Sequence, residues 1–222
     1  MYAINHAATS LLLKKKEESI PILPLLISTQ LIEVFWVFFN YTGIEHYSIE
    51  AGKIHLDFLP YSHSVFSAGL FALLSYVFIR WVFRSKRLAF LFAIGVISHL
   101  ILDVIFHEKD IRLSPFSDTP AWGLGIIDFP ILNFILEFMY GIFCWWYYKG
   151  SKKLLIVIIV FNVLDLPVML ASGDALTIFK EHAFLLPTFI LFQILITWYF
   201  IWRYSGASKQ AQLIQPVKAT AF

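Results

Sequence analysis

Six apolar runs, each long enough to cross about 30 Å of hydrocarbon, divide this 222-residue chain. They cover residues 22–40, 64–83, 88–106, 126–148, 154–172 and 184–203. A backbone in lipid must satisfy its own hydrogen bonds, so runs of this length are read as helices. Composition agrees. Hydrophobic residues make up 59% of the chain and charged residues 14%, against about 25% charged in average globular usage. Mean hydropathy is +0.74. The expected fold is all-α: a polytopic membrane helix bundle of about six transmembrane helices, with a short N-terminal helix that is either re-entrant or interfacial. Residues 1–203 are read as one transmembrane domain and 204–222 as a polar cytoplasmic tail.

Basic residues set the expected orientation. Alternate connections carry Lys14–Lys16, then Arg80, Arg84, Lys86 and Arg87, then Lys149, Lys152 and Lys153, then Arg203, Lys209 and Lys218. These are 13 of the 17 Lys and Arg; Lys53, Lys109, Arg112 and Lys180 occupy the other side. Both termini are therefore expected in the cytoplasm of a bacterial-type inner membrane. The apolar stretch at the start precedes its lysines, the reverse of a secretory signal peptide. The single cysteine, Cys144, excludes an internal disulfide and a Cys-rich metal site. A net charge of +2 gives no footprint for nucleic acid. The partners implied are the bilayer and a lipid or lipid-linked molecule.

The opening segment MYAINHAATSLLL is too short to span. As an interfacial helix it would lie at the cytoplasmic surface. As a half-helix it would insert, lifting His6 roughly 12 Å above Lys14. The polar residues favour insertion, because that depth brings His6 level with other ionisable groups.

Those groups lie where they are costly. Glu33, His99, Asp103, Asp128, Glu137 and Asp165 all fall within apolar runs. A charge at such a position costs about 2.5–3.5 kcal/mol on insertion scales and ordinarily faces a protein interior. Glu33 and His99 both lie about eleven residues above the basic end of their runs, roughly 17 Å in. In SHLILDVIFH, residues 98–107, His99, Asp103 and His107 share an arc of about 80°. His99 and Asp103 at i, i+4 can offer one nitrogen and one oxygen to a single metal ion. His107 is expected nearer the outer surface. The segment HLDFLPYSHS, residues 55–64, adds His55, Asp57 and His63, with Pro60 breaking regular structure and Ser62 available to cap the next helix. A mixed nitrogen and oxygen set suits Zn²⁺, with Mn²⁺ or Fe as alternatives. Glu33 has three readings: general base, ligand, or partner to Gln30.

INHAATSLLL, DFLPYSHS and SHLILD together resemble the membrane-bound metal-dependent hydrolase family of YdjM-like inner-membrane proteins. Their order of His, Asp, His and His-x-x-x-Asp is similar to the metal centres of zinc-dependent phospholipase C and the P1-type nucleases. The resemblance covers about residues 2–115. It implies His6, Asp57, His63, His99 and Asp103 as metal ligands; Glu33, which the motifs do not match, is the candidate catalytic group from its place alone in an apolar helix. It also implies metal-assisted hydrolysis of an ester, foremost a phosphoester. This chain departs from the family in having a lone Asp57 before its His-Ser motif and LPY in place of a glycine-rich element.

Each residue also has a structural reading: a hydrogen-bonded His99–Asp103 pair, a loop acid at Asp57, helix-packing networks around Asp128, Asn162 and Asp165. Two other functions remain open. Midplane acids could carry ions in a transporter, although no inverted repeat is visible. Histidines on separate helices could hold haem.

Overall fold

The computed structural model describes residues 1–50, 53–117, 121–170 and 177–206. The expected tail beyond residue 206 and the last residues of the expected fifth span lie outside the described residues. Helix α1 (Ala3–Lys16) leads into α2 (Ile22–Thr42), then a hairpin of β1 (His46–Glu50) and β2 (Lys53–Phe58). A single turn, α3 (Pro60–His63), precedes the helical pair α4 (Val65–Val82) and α5 (Lys86–Phe106). The chain continues through α6 (Pro130–Tyr148), α7 (Lys152–Met169), the short α8 (Thr177–Glu181) and α9 (Leu185–Tyr204).

Among the described residues, four helices are long and apolar enough to cross a membrane: α2, α4, α5 and α9. Helices α6 and α7 occupy the places of the expected fourth and fifth spans. Polar residues interrupt them, Asn133 and Glu137 in α6 and Lys152, Lys153 and Asp165 in α7. Burial separates the four. Helix α4 turns Leu70, Leu73, Leu74, Phe78 and Trp81 outward, as a lipid-facing helix does. Helix α5 buries Val96, His99, Leu100 and Asp103.

The hairpin is the departure from a purely helical expectation. Its strands pair antiparallel, with Ser48 opposite His55. Pro60 opens α3 at the first helical position, where its missing N–H costs nothing. Ser64 caps α4 by accepting from the Ser67 amide at 3.1 Å. The cap was expected at Ser62, two residues earlier; Ser62 has a different task.

Helix α1 is packed inside the helix bundle. It contacts α2, α5, α6, α7 and α9. Asn5, His6, Thr9, Ser10 and Lys14 are buried along with its apolar residues. An interfacial helix would keep a solvated polar face. Small side chains permit the insertion: Ala7, Ala8 and Ser10 are fully buried and allow neighbouring backbones close. Gly141 on α6 does the same from outside, since a Cβ there would lie 2.7 Å from Asn5 Oδ1. The three lysines at the far end of α1 suit the negative pole of its dipole. Two apolar cores flank this helix. One joins α2, α4 and α5 through Leu25, Ile32, Ala68 and Val96. The other joins α1, α6, α7 and α9 through Leu11, Cys144, Ile158 and Ile201.

Candidate metal centre

Four elements deliver ionisable side chains to one point between the two cores. Helix α5 presents His99, Asp103 and His107 on one stripe. The inserted α1 brings His6, α2 brings Glu33, and α3 brings His63. Asp103 is the hub. Its Oδ1 lies 3.1 Å from His6 Nε2 and 3.5 Å from His107 Nε2. Its Oδ2 lies 3.0 Å from His99 Nε2 and 3.6 Å from His63 Nε2. Glu33 Oε2 lies 3.5 Å from both His63 Nε2 and His99 Nε2. The His6 and His99 rings stack with centroids 3.8 Å apart. The Met1 nitrogen lies 3.5 Å from Asp103 Oδ1.

These distances are short, yet the atoms are not aligned as hydrogen bonds. His6 Nε2, His63 Nε2, His99 Nε2 and both Asp103 oxygens are buried with no hydrogen-bond partner. Buried carboxylate and imidazole atoms in that condition are expensive. The distant ring nitrogens explain what the near ones carry. His99 Nδ1 sits 2.8 Å from the Thr29 carbonyl oxygen, which can only accept, so Nδ1 holds a proton and Nε2 faces inward, with a lone pair when the ring is neutral. Ser62 Oγ donates to Glu45 Oε2 at 2.6 Å and stands 2.7 Å from His63 Nδ1. With its proton committed to Glu45, the Ser62 oxygen accepts from His63 Nδ1, and His63 Nε2 also faces inward as a lone pair. Imidazoles oriented from behind by a carbonyl or carboxylate are the usual second layer of a metal site.

Lone pairs converging on one or two carboxylates repel unless a positive charge sits among them, whether a metal ion, an imidazole proton or the Met1 ammonium. Four ligands held at 2.0–2.1 Å around zinc lie about 3.3–3.4 Å from one another, within the span of separations found here. Two overlapping sets place their ligand atoms within 4.8 Å of each other: His6, His99 and Asp103, and Glu33, His63 and His99. The donor set therefore fits a divalent metal. Glu33 is the accessible member, with its side chain 21% exposed against 0–2% for His6, His63, His99 and Asp103.

Most candidates from the sequence are thus brought together, and three details differ. His107, expected at the surface, is buried against Asp103 and Asp110, because α5 ends there and the chain folds back over it. Gln30 is no partner to Glu33; its amide donates to the Ala3 carbonyl at 2.9 Å and so holds α1. Asp57 and His55 lie on β2, with side chains outside the described residues.

Glu45 went unread in the sequence. It accepts from the Tyr61 and Ser62 amides at 2.8 Å as well as from the Ser62 hydroxyl. Burial pushes its carboxyl above the ordinary range, against those donors. Nothing in its spacing marks it, since the hairpin between Glu45 and Ser62 creates the contact. A second polar cluster lies one residue along α1. Asn5 donates to Glu137 Oε2 and to Asn162 Oδ1, each at 2.9 Å. Glu137 also accepts from the Tyr2 amide at 2.8 Å and from Asn133 at 3.2 Å. Asp165 accepts from Gln193 at 2.6 Å. The sequence reading of Asn162 and Asp165 as packing groups agrees with these contacts.

Apolar spanning helices around an interior cluster of histidines and carboxylates define a multi-pass membrane protein. The family model of the YdjM inner membrane protein matches residues 60–173, just over half of the chain, and the chain belongs to that family. It is a multi-pass inner membrane protein. The match includes His63, His99 and Asp103, while His6, Glu33 and Asp57 precede it. No curated protein and no solved structure matches the chain.

Proposed function

We propose that this protein is a membrane-embedded, metal-dependent hydrolase of an ester, foremost a phosphoester carried by a lipid or lipid-linked substrate. The observation that carries the reading is the set of inward-facing, unpartnered Nε2 atoms around Asp103 and Glu33. His6, Asp57, His63, His99 and Asp103 are the proposed ligands. Zn²⁺ suits the set best, and Mn²⁺ or Fe is compatible with it. Such an ion supplies Lewis acidity toward a phosphoryl oxygen and makes water acidic enough to attack at neutral pH.

The chain's own residues supply the rest. Glu33, at the accessible rim, is the proposed general base: it takes the proton as water oxygen bonds to phosphorus and the bond to the leaving oxygen breaks. Thr29 and Ser62 hold His99 and His63 with their Nε2 atoms forward. The buried surroundings exclude bulk water. In this reading α6 and α7 also cross the bilayer, giving six spans. Both termini face the cytoplasm, and the site opens toward the outer leaflet, where a lipid enters laterally.

The haem alternative loses support because the His6 and His99 rings stack at 3.8 Å, leaving no slot for a macrocycle between them. Of the three acids of the transporter alternative, Glu137 accepts from Tyr2, Asn5 and Asn133 and Asp165 accepts from Gln193, while Glu33 stands apart from both beside His63 and His99.

The test is metal analysis of purified protein beside hydrolysis of a chromogenic phosphodiester. Wild type is expected to carry zinc or manganese stoichiometrically and to hydrolyse the ester; the His99→Ala/Asp103→Ala variant loses both. Near-zero metal in both proteins sinks the proposal.

A further inference from the structure

The opposite end of α1 meets the end of α6 at a cleft of about 580 Å³. Its lining is Lys15, Lys16, Trp145, Trp146, Tyr147 and Lys149. Every lining residue is basic or aromatic, and among the described residues no acidic side chain lines it. Glu18 touches Lys15 from the rim, at 2.7 Å. The cleft lies nine to ten residues beyond His6 on α1, roughly 15 Å away, so it is no extension of the metal centre.

The walls are built. Trp145 Nε1 donates to the Ser151 carbonyl at 3.0 Å, and its ring lies so close to Gly150 that a Cβ there would sit 2.6 Å from it. Lys149 ends α6 in the left-handed conformation, at φ 58°. That position ordinarily takes glycine, and the chain has a glycine one residue later. Lysine stands in its place and points a cation at the cleft. Trp146 and Tyr147 are 65% and 44% exposed, continuing an outward face that includes Phe143. Aromatic rings of this kind sit at the headgroup level of a bilayer.

We propose that this cleft binds the phosphate of an anionic phospholipid, its headgroup among the three lysines and its acyl chains along the Phe143 and Trp146 face. The volume falls within the 300–1,000 Å³ range of small-molecule sites. Basic pockets among spanning helices recognise anionic headgroups by charge. A free anion would draw on the lysines and leave the outward aromatic wall without a role. The lipid bridges α1 to α6, so its binding stabilises the bundle.

The experiment titrates full-length protein in neutral detergent and reads the thermal unfolding midpoint. The probes are dioleoylphosphatidylglycerol, dioleoylphosphatidylcholine and inorganic phosphate. Phosphatidylglycerol alone is expected to raise the midpoint. Lys16→Gln/Lys149→Gly is expected to need roughly thirtyfold more of it, from about 1 kcal/mol per lysine. Glycine suits the left-handed position, so that variant keeps its lipid-free midpoint. Should the double variant fail to fold, Lys16→Gln alone is expected to shift the titration about fivefold. Three outcomes overturn the proposal: variants that titrate as wild type, an equal response to phosphatidylcholine, or inorganic phosphate reproducing the whole shift.

Discussion

Asn5 and His6 are neighbours on one buried helix, and the clusters they enter are opposites. Around Asn5, three donors converge on Glu137 and the Asn5–Asn162 amides pair directly. Around His6, atoms stand 3.0–3.6 Å from Asp103 and make no aligned hydrogen bond. The insertion of α1 and burial in an apolar bundle are common to both. The Asn5 face is a structural contact in which Asn5, Glu137 and Asn162 all find protein partners, only Asn133 Oδ1 being left over. The His6 face leaves several ionisable atoms without a hydrogen-bond partner, which is the condition the proposed metal would relieve. Burial of a polar group therefore does not by itself mark function; several unpartnered imidazole and carboxylate atoms converging on one point are the stronger sign.

The sharpest way to break that contrast is a matched pair of isosteric changes. Asp103→Asn is expected to lower bound metal more than a hundredfold. Measured in chelator, its unfolding free energy should fall as well, because Asp103 is the buried counter-charge of the Met1 ammonium 3.5 Å away. Glu137→Gln should leave the metal content within about twofold of wild type. It puts a donor amide where three donors already point, so unfolding free energy should fall by about 1–3 kcal/mol. Mass-spectrometric metal content separates the two, and denaturation in chelator reads the stability of each. Equal metal loss in both variants would erase the distinction between the faces.

The two clusters also differed in how far the sequence revealed them. The i, i+4 pair His99 and Asp103 and the apolar runs are local patterns, read directly from helical periodicity. The meeting of His6 with Asp103 and His99 was legible because the lysines ending its segment suggested a helix turned inward from the surface. Glu45, by contrast, reaches Ser62 only through a hairpin closure, and no local spacing encodes that. His107 was misread because position along α5 gives height and says nothing of the chain folding back over the helix end. The backing of His99 comes from the Thr29 carbonyl, a group every residue possesses, so side-chain identity could not announce it. Asn5 and Glu137 lie 132 residues apart, and only the packing of α1 against α6 pairs them.

A middle-sized effect is expected behind His63. Ser62→Ala removes the hydroxyl that holds His63 Nδ1 and links it to Glu45. Partners in this position are worth about 10–100-fold in metal affinity. A competition titration with a zinc chelator should show that loss with the fold intact by circular dichroism. Unchanged affinity would mean that His63 is held by packing, or that it is not a ligand.

The smallest effect tests whether the two faces of α1 are independent. Thr9 Oγ1 sits 2.8 Å from the Tyr140 hydroxyl and donates to the Asn5 carbonyl at 3.1 Å, one turn along the Asn5 face. Thr9→Val keeps the shape and deletes the hydroxyl. The expected cost is about 0.6–1 kcal/mol, since hydrogen bonds between membrane helices contribute little net. Metal affinity should not move, because His6 is also tethered through its own helix to Gln30, whose amide holds the Ala3 carbonyl. A measurable fall in metal affinity in Thr9→Val would show that the Asn5 face sets the height of His6. The Asn5 cluster would then be part of the metal site's construction as well as of the fold.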